Sequence, residues 1–220
     1  MRCCGPAGAE IFDERQARRD LRSYRRRGLD AAGRKLVDAV SGKGGDVLEI
    51  GGGIGVIELE LLRRGASHAV NVELSPAYDP FAKELAEEAG VADRIERHIG
   101  DLVEQPALAG EADVVVMHRV VCCYPDMPGL VGTAAGKARR ALGLTYPRDA
   151  WWTRSAARVG NLVMRLLRKE YRGFIHPPAG IRAAAEAHGL RLASAQSGLL
   201  WQIAAFERET VSRGDVAGHA

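Results

Sequence analysis

The feature that most constrains this 220-residue chain is a short apolar run, Asp46-Val47-Leu48-Glu49-Ile50, that ends on Gly51-Gly52-Gly53-Ile54-Gly55. Such a run, five residues long and bounded by glycines, predicts a buried parallel strand. Val56 to Arg64 then carries apolar residues at helical spacing and stops at Gly65, which predicts a helix. A strand that runs through glycines into a helix makes a turn whose backbone a ligand can approach, because no Cβ atoms stand in the way. The spacing narrows the choice of ligand. A dinucleotide site requires G-x-G-x-x-G, its third glycine packing helix on strand; here the position three after Gly53 is Val56. Glu49, directly upstream, would repel a pyrophosphate and welcome an ammonium group.

Downstream, strands and helices alternate. His68 to Glu73, Arg94 to Ile99 and Ala112 to His118 read as strands, and Phe81 to Ala89 as a helix entered through Pro76 and closed by Gly90. Gly129 to Ala141 reads as a helix, Leu142 to Tyr146 as a short strand and Ala179 to His188 as a helix. Arg191 to Ser197 and Leu199 to Glu207 read as strands joined by a turn at Gly198. The expected class is α/β: a doubly wound, mainly parallel seven-stranded sheet with one antiparallel strand near an edge. Residues 45–208 form this domain, 1–44 a helical cap (Ile11 to Arg26 and Leu29 to Val40) and 209–220 a flexible tail. Residues 147–178 are an insertion, whose stretch Trp151 to Arg168 reads as an amphipathic helix with Trp152, Ala156, Val159, Val163, Leu166 and Leu167 on its apolar side. Both additions belong near the carboxyl edge of the sheet, where open α/β sheets bind ligands, so both are candidate substrate lids.

Val47 to Gly55 resembles motif I of the class I S-adenosylmethionine-dependent methyltransferases of small-molecule type, and the likeness extends over residues 46–208. It implies a Rossmann-like methyltransferase fold and S-adenosyl-L-methionine as cofactor. It assigns Glu49, Gly51, Gly53 and Gly55 to the cofactor turn. Glu73, followed by Leu74, falls where the family's acid accepts both ribose hydroxyls. Asp101, followed by Leu102, falls where another acid meets the adenine amino group. Ala112 to His118 resembles motif IV, whose end, here His118, lies beside the reactive methyl.

Methyl transfer from a sulfonium needs an aligned nucleophile, and a base where that nucleophile carries a proton. His118 titrates near neutrality and is a candidate base, or a strand-end residue that only packs on the cofactor. His176 is a second candidate base, with a structural role as its rival. Tyr124 and Asp126 position substrate or shape the loop. His176-Pro177-Pro178 after the inserted helix resembles the magnesium-protoporphyrin IX methyltransferase branch, without a diagnostic substrate motif. An Asn-Pro-Pro-Tyr element is absent, which argues against DNA adenine methylation. Trp151, Trp152 and Phe174 favour a small metabolite with an apolar body over a polymer. The expected activity is in-line methyl displacement onto oxygen or nitrogen of such a metabolite. Alternatives are an RNA or protein methyltransferase and a non-catalytic cofactor-binding regulator.

Net charge is +3, and seven arginines crowd Arg15 to Arg27, partly offset by Asp13, Glu14 and Asp20. A charge run of this kind reads as a solvated helix face, so no nucleic-acid partner is expected. No apolar run reaches the ~18–20 residues of a membrane span, and Met1 to Pro6 lacks a signal peptide's apolar region; the expectation is a cytoplasmic protein without a membrane partner. A homodimer is compatible with the sequence. Cys3-Cys4 and Cys122-Cys123 lack C-x-x-C spacing and read as small buried hydrophobes, with no metal expected; a soft-metal site formed by both pairs is the sharper alternative.

Overall fold

The computed structural model describes residues 11–209. Seven strands form one sheet: β1 (Asp46–Ile50), β2 (His68–Glu73), β3 (Ile95–Ile99), β4 (Ala112–His118), β5 (Ala138–Pro147), β6 (Leu190–Ser197) and β7 (Trp201–Arg208). Their order is β3-β2-β1-β4-β5-β7-β6. The first five pair in parallel. β7 alone runs the other way, antiparallel to both β5 and β6, one place in from the edge. The doubly wound sheet with one antiparallel strand is therefore the observed fold.

The helices are α1 (Glu14–Arg27), α2 (Ala31–Val40), α3 (Val56–Arg63), α4 (Asp79–Glu88), α5 (Met127–Lys137), α6 (Trp151–Leu166) and α7 (Pro178–Glu186). Successive strand residues point to opposite faces, so β4 feeds two cores. Val114 and Val116 pack with α1 to α4, while Val115 and Met117 pack with α5 and α7. Both faces are covered, which is why β1 and β4 are apolar along most of their length. The cap helices start on side-chain caps: Asp13 accepts from the Gln16 amide, and Asp30 from the Gly33 amide. α1 then lies against α4, where Arg25 pairs with Glu84 and Glu88, and Arg18 stacks over Phe81 at 5.2 Å. Part of the arginine run thus fastens the cap to the core.

One expectation needs correction. The helix read as ending at Ala141 ends at Lys137, and the next strand already starts at Ala138. Alanine and arginine favour helix locally, but Ala138 pairs with Ala112 and Ala141 with Val114, and the ladder overrides propensity. The inserted helix forms where expected, and most of its apolar side is left uncovered. Thr153 is its buried residue, while Val159, Val163, Leu166 and Leu167 face solvent. The stretch after α6 is what pins the insertion to the core: Phe174 donates its amide to the Cys122 carbonyl (2.8 Å), and Tyr171 meets Phe12 edge-on. The expected tail beyond Glu209 and the pair Cys3-Cys4 lie outside the described residues.

Candidate active site

β1 and β4 are neighbours whose crossovers leave in opposite directions, and a cleft opens at their carboxyl ends, as the topology requires. It encloses about 830 Å³. The glycine turn forms its floor. Gly51 and Gly53 take φ of 67° and 56°, and a Cβ on Gly51 would stand 2.6 Å from Val120. A side chain at either position would strain the turn and fill the cleft.

Two acids stand over this floor. Glu73 ends β2; its Oε2 accepts from the Gly53 amide and its Oε1 from the Ser75 amide, both at 2.8 Å. Asp101 lies two residues past β3; its Oδ1 accepts from the Val103 amide, and the Tyr124 hydroxyl donates to it at 3.0–3.2 Å. Each carboxylate keeps lone pairs beyond these bonds. Leu74 and Leu102 complete that part of the wall.

Glu49 and Gly55 occupy different places from the one read for them. Neither lines the cleft. Gly55, at φ 78°, is the cap residue before α3. Glu49 points beneath the turn, 1% exposed, and accepts from the Glu58 amide at 2.8 Å. It belongs to a polar row across three strands, because Glu49 registers with Asn71 and Asn71 with Arg97. Asn71 donates to Glu58 (2.8 Å), and Arg97 reaches the Gly53 carbonyl (2.9 Å) and lies 3.5 Å from Glu58. Burial raises the pKa of Glu49 well above normal, and the neighbouring Glu58 adds to it. The row holds the turn from below. An ammonium group in the cleft would meet Glu49 only through the turn itself.

At the other end of the cleft stands His118, the last residue of β4. Its Nδ1 hydrogen-bonds with the Thr145 hydroxyl at 3.0 Å. Burial first, and the Arg119 charge second, lower its pKa to about 4, so the ring is neutral at physiological pH. Arg119 follows with φ 64°, a left-handed conformation unusual for a side chain of this size. Its amide donates to Thr145 Oγ1 (2.9 Å), while its guanidinium pairs with Asp30 and lies 4.6 Å over the Trp201 ring. Phe12, Tyr24, Leu29 and Asp30 from the cap also line the cleft, the Phe12 carbonyl accepting from the Ser75 hydroxyl and Asp30 pairing with Arg119. Arg25, next to Tyr24 in the chain, ties to α4.

His176 does not line the cleft. It sits behind the loop after β4, with Nε2 3.0 Å from the Tyr124 carbonyl and its ring stacked on Phe174. Asp126 caps α5 through the Gly129 amide. Cys122 and Cys123 lie with sulfurs 3.7 Å apart, and Cys123 approaches the Tyr171 hydroxyl at 3.2 Å. Among the described residues no cluster of three or more metal-ligating side chains exists. Sequence reasoning passed over Arg119, Asp30 and Arg97. Arg119 could have been found from its place directly after the fourth strand; Asp30 and Arg97 had no local signal.

A family model described as "Methyltransferase domain" matches residues 18–195. The chain belongs to this family. It is a class I S-adenosylmethionine-dependent methyltransferase. The ribosomal protein L11 methyltransferase of Edwardsiella ictaluri is 28% identical over 124 residues, which is 52% of this chain and 38% of that protein. The chain thus spans well under half the length of this curated relative. Among solved structures, magnesium protoporphyrin IX methyltransferase from Synechocystis PCC 6803 with bound SAH superposes with a TM-score of 0.66 at 21% identity, over 87% of this chain and 86% of that one. An O-methyltransferase family 2 protein from Planctomyces limnophilus, in complex with apigenin, gives 0.67 at 20% identity, over 89% and 62%. These likenesses confirm the fold. The methyltransferase's cleft fits its cofactor: a bare glycine floor with two carboxylates above it, each at the end of an adjacent strand.

Proposed function

We propose that the methyltransferase modifies an oxygen or nitrogen of a small metabolite with an apolar body, and that the acceptor's nucleophilic atom arrives without a proton to be removed. One observation carries the second part: His118 is held neutral with a pKa near 4. A general base works best with a pKa near the operating pH. A group at about 4 takes little from a phenol or an ammonium, so His118 acts as a hydrogen-bonding positioner for an acceptor already in its reactive form, such as a carboxylate or an acidic phenolate. Arg119, adjacent in the chain and paired with Asp30, adds guanidinium N–H donors at this end of the cleft.

Glu73 would hold the ribose hydroxyls, Asp101 the adenine amino group, and the Gly51–Gly53 turn the methionyl part. Bound there, the cofactor supplies an electrophilic methyl on sulfur. The chain's own part is alignment. His118 and Arg119 set the acceptor's distance and angle, and Phe12, Leu29 and Val120 keep water off the line of attack. A cleft of about 830 Å³ is within the usual size for small-molecule sites.

The test is S-adenosylhomocysteine release with paired acceptors: aromatic carboxylic acids, phenols and primary amines of similar size. Carboxylates or acidic phenols should turn over with a rate flat from pH 8 down to about 5, because His118 stays neutral throughout. Turnover that demands a basic group titrating near pH 7 would overturn the positioning role. A second reading, methylation of a protein, has one observation in its favour, the identity to ribosomal protein L11 methyltransferases. Purified ribosomal protein L11 belongs in the same assay.

A further inference from the structure

We infer that α6, with the β6–β7 turn beside it, is a docking face for an anionic lipid surface. The apolar stripe of this helix is left uncovered: Trp151 is 79% exposed and Leu166 72%, and Val159, Leu162, Val163 and Leu167 are exposed with them. Leu199, 78% exposed, and Leu200 extend the patch from the β6–β7 turn, which the Arg148 amide holds by donating to the Leu200 carbonyl (2.8 Å), three residues before Trp151. Apolar residues at this density and exposure on one surface mark an interaction site.

The charges say what kind. Between Asp149 and Glu170 there are five basic residues, Arg154, Arg158, Arg165, Arg168 and Lys169, and no acid. Arg154 is engaged by Asp149. Arg158, Arg165 and Arg168 have no ion-pair partner among the described residues. At 100° per residue, Arg154, Arg158 and Arg165 form a ridge along one border of the apolar stripe. A helix with tryptophan and leucine on one side and arginine beside them lies in the plane of a membrane interface, its apolar side among the acyl chains and its cations at the headgroups.

Other occupants fit less well. Packing the stripe against a second copy would bring two of these basic ridges together with no acid on either helix. Residues 1–10 and 210–220 offer only Met1, Val211 and Val216 as large aliphatic side chains and no aromatic ones, too few to cover the stripe. No described helix is long and apolar enough to cross a bilayer, so attachment is peripheral. The contact places the lipid surface against the element whose continuation, Tyr171 and Phe174, packs beside the cleft.

The experiment is sedimentation of the full chain with vesicles of phosphatidylcholine alone and of equal parts phosphatidylcholine and phosphatidylglycerol. Binding should occur on the anionic vesicles, weaken with salt, and shift tryptophan emission to the blue. Each basic residue near the surface contributes roughly fivefold in partitioning, so Arg158→Gln with Arg165→Gln should lose about 25-fold, and Trp151→Ser with Leu166→Ser at least as much. All four positions are exposed, and circular dichroism with thermal unfolding checks that the variants fold. Absence of binding to either vesicle, or equal binding to both, overturns the inference. So does a dimer in light scattering that the Trp151→Ser, Leu166→Ser variant converts to monomer, since the stripe would then be a self-interface.

Discussion

The two ends of the cleft are built differently. At the cofactor end, Gly51 to Gly53, Glu73 and Asp101 each stand within three residues of a strand terminus, and their bonds run to backbone amides of the same region. The polar row of Glu49, Asn71 and Arg97 supports that end from below. At the other end, the walls come from the cap and the loop after β4, joined by contacts such as Arg119 with Asp30 across 89 residues of chain. One end is set by the ladder, the other by long-range docking of additions. The first should therefore tolerate little change, and the second should change substrate preference without harming the fold.

The largest expected effect falls at the ladder-built end. Glu73→Ala removes the carboxylate proposed to accept from two ribose hydroxyls and frees two amides. Bonds to a charged group contribute about 1.5–3 kcal/mol each, so S-adenosylhomocysteine affinity should fall at least 100-fold, roughly. Calorimetric titration reads this directly, and an unchanged affinity would remove Glu73 from the site.

Next in size is a pH effect under the turn. Glu58 is fully buried, and desolvation pushes its pKa up to about 7 from 4.5 against the opposing pull of Arg97. A carboxyl with a raised folded pKa contributes stability that is full below 4.5 and lost as pH rises through about 7. The amount is of the order of 2–3 kcal/mol. His118 has the opposite sign: its folded pKa is depressed, so its contribution is full above 6.5 and lost as pH falls through about 4. The wild-type profile mixes both with Glu49, whose raised pKa gives a contribution of the same sign as that of Glu58. Comparing it with Glu58→Gln isolates the first: the variant should lose less stability than wild type between pH 5 and pH 7.5 in denaturant titrations. Parallel curves would mean Glu58 is not the group that titrates.

A smaller effect is expected where the two ends meet. Tyr124 belongs to the acceptor-side loop but donates to Asp101. Tyr124→Phe deletes that bond and leaves the ring, so S-adenosylhomocysteine affinity should weaken by about 3- to 10-fold, the equivalent of roughly 0.5–1.5 kcal/mol. A change only in acceptor KM would place Tyr124 wholly on the acceptor side.

The same division explains what could be read from the sequence. β1, β2 and β4 occupy the predicted residues because their patterns are local and apolar. Glu73 and Asp101 follow from strand ends, and both line the cleft. Glu49 was placed on the wrong side of its turn, because its partners, Glu58 and the row through Asn71 and Arg97, are set by register between strands. For His176 the sequence leaves a base and a structural role both open because residue type is local, whereas its place behind Tyr124 depends on how the insertion docks.

The smallest effect separates the two ends most cleanly. Arg119 sits at φ 64°, a strain of about 1–2 kcal/mol for a residue with a Cβ. Its side chain returns something similar: an exposed ion pair with Asp30, worth roughly 0.2–1 kcal/mol, and a contact over Trp201, worth about 0.5–1. Arg119→Gly removes both the strain and the contacts, so stability should change by less than about 1 kcal/mol. The backbone amide that bonds Thr145 remains, and so does the His118–Thr145 pair. Cofactor affinity should then match wild type while KM for an anionic acceptor rises severalfold. If cofactor affinity falls as well, the acceptor loop helps to hold the cofactor, and the cleft is one unit with no division between its ends.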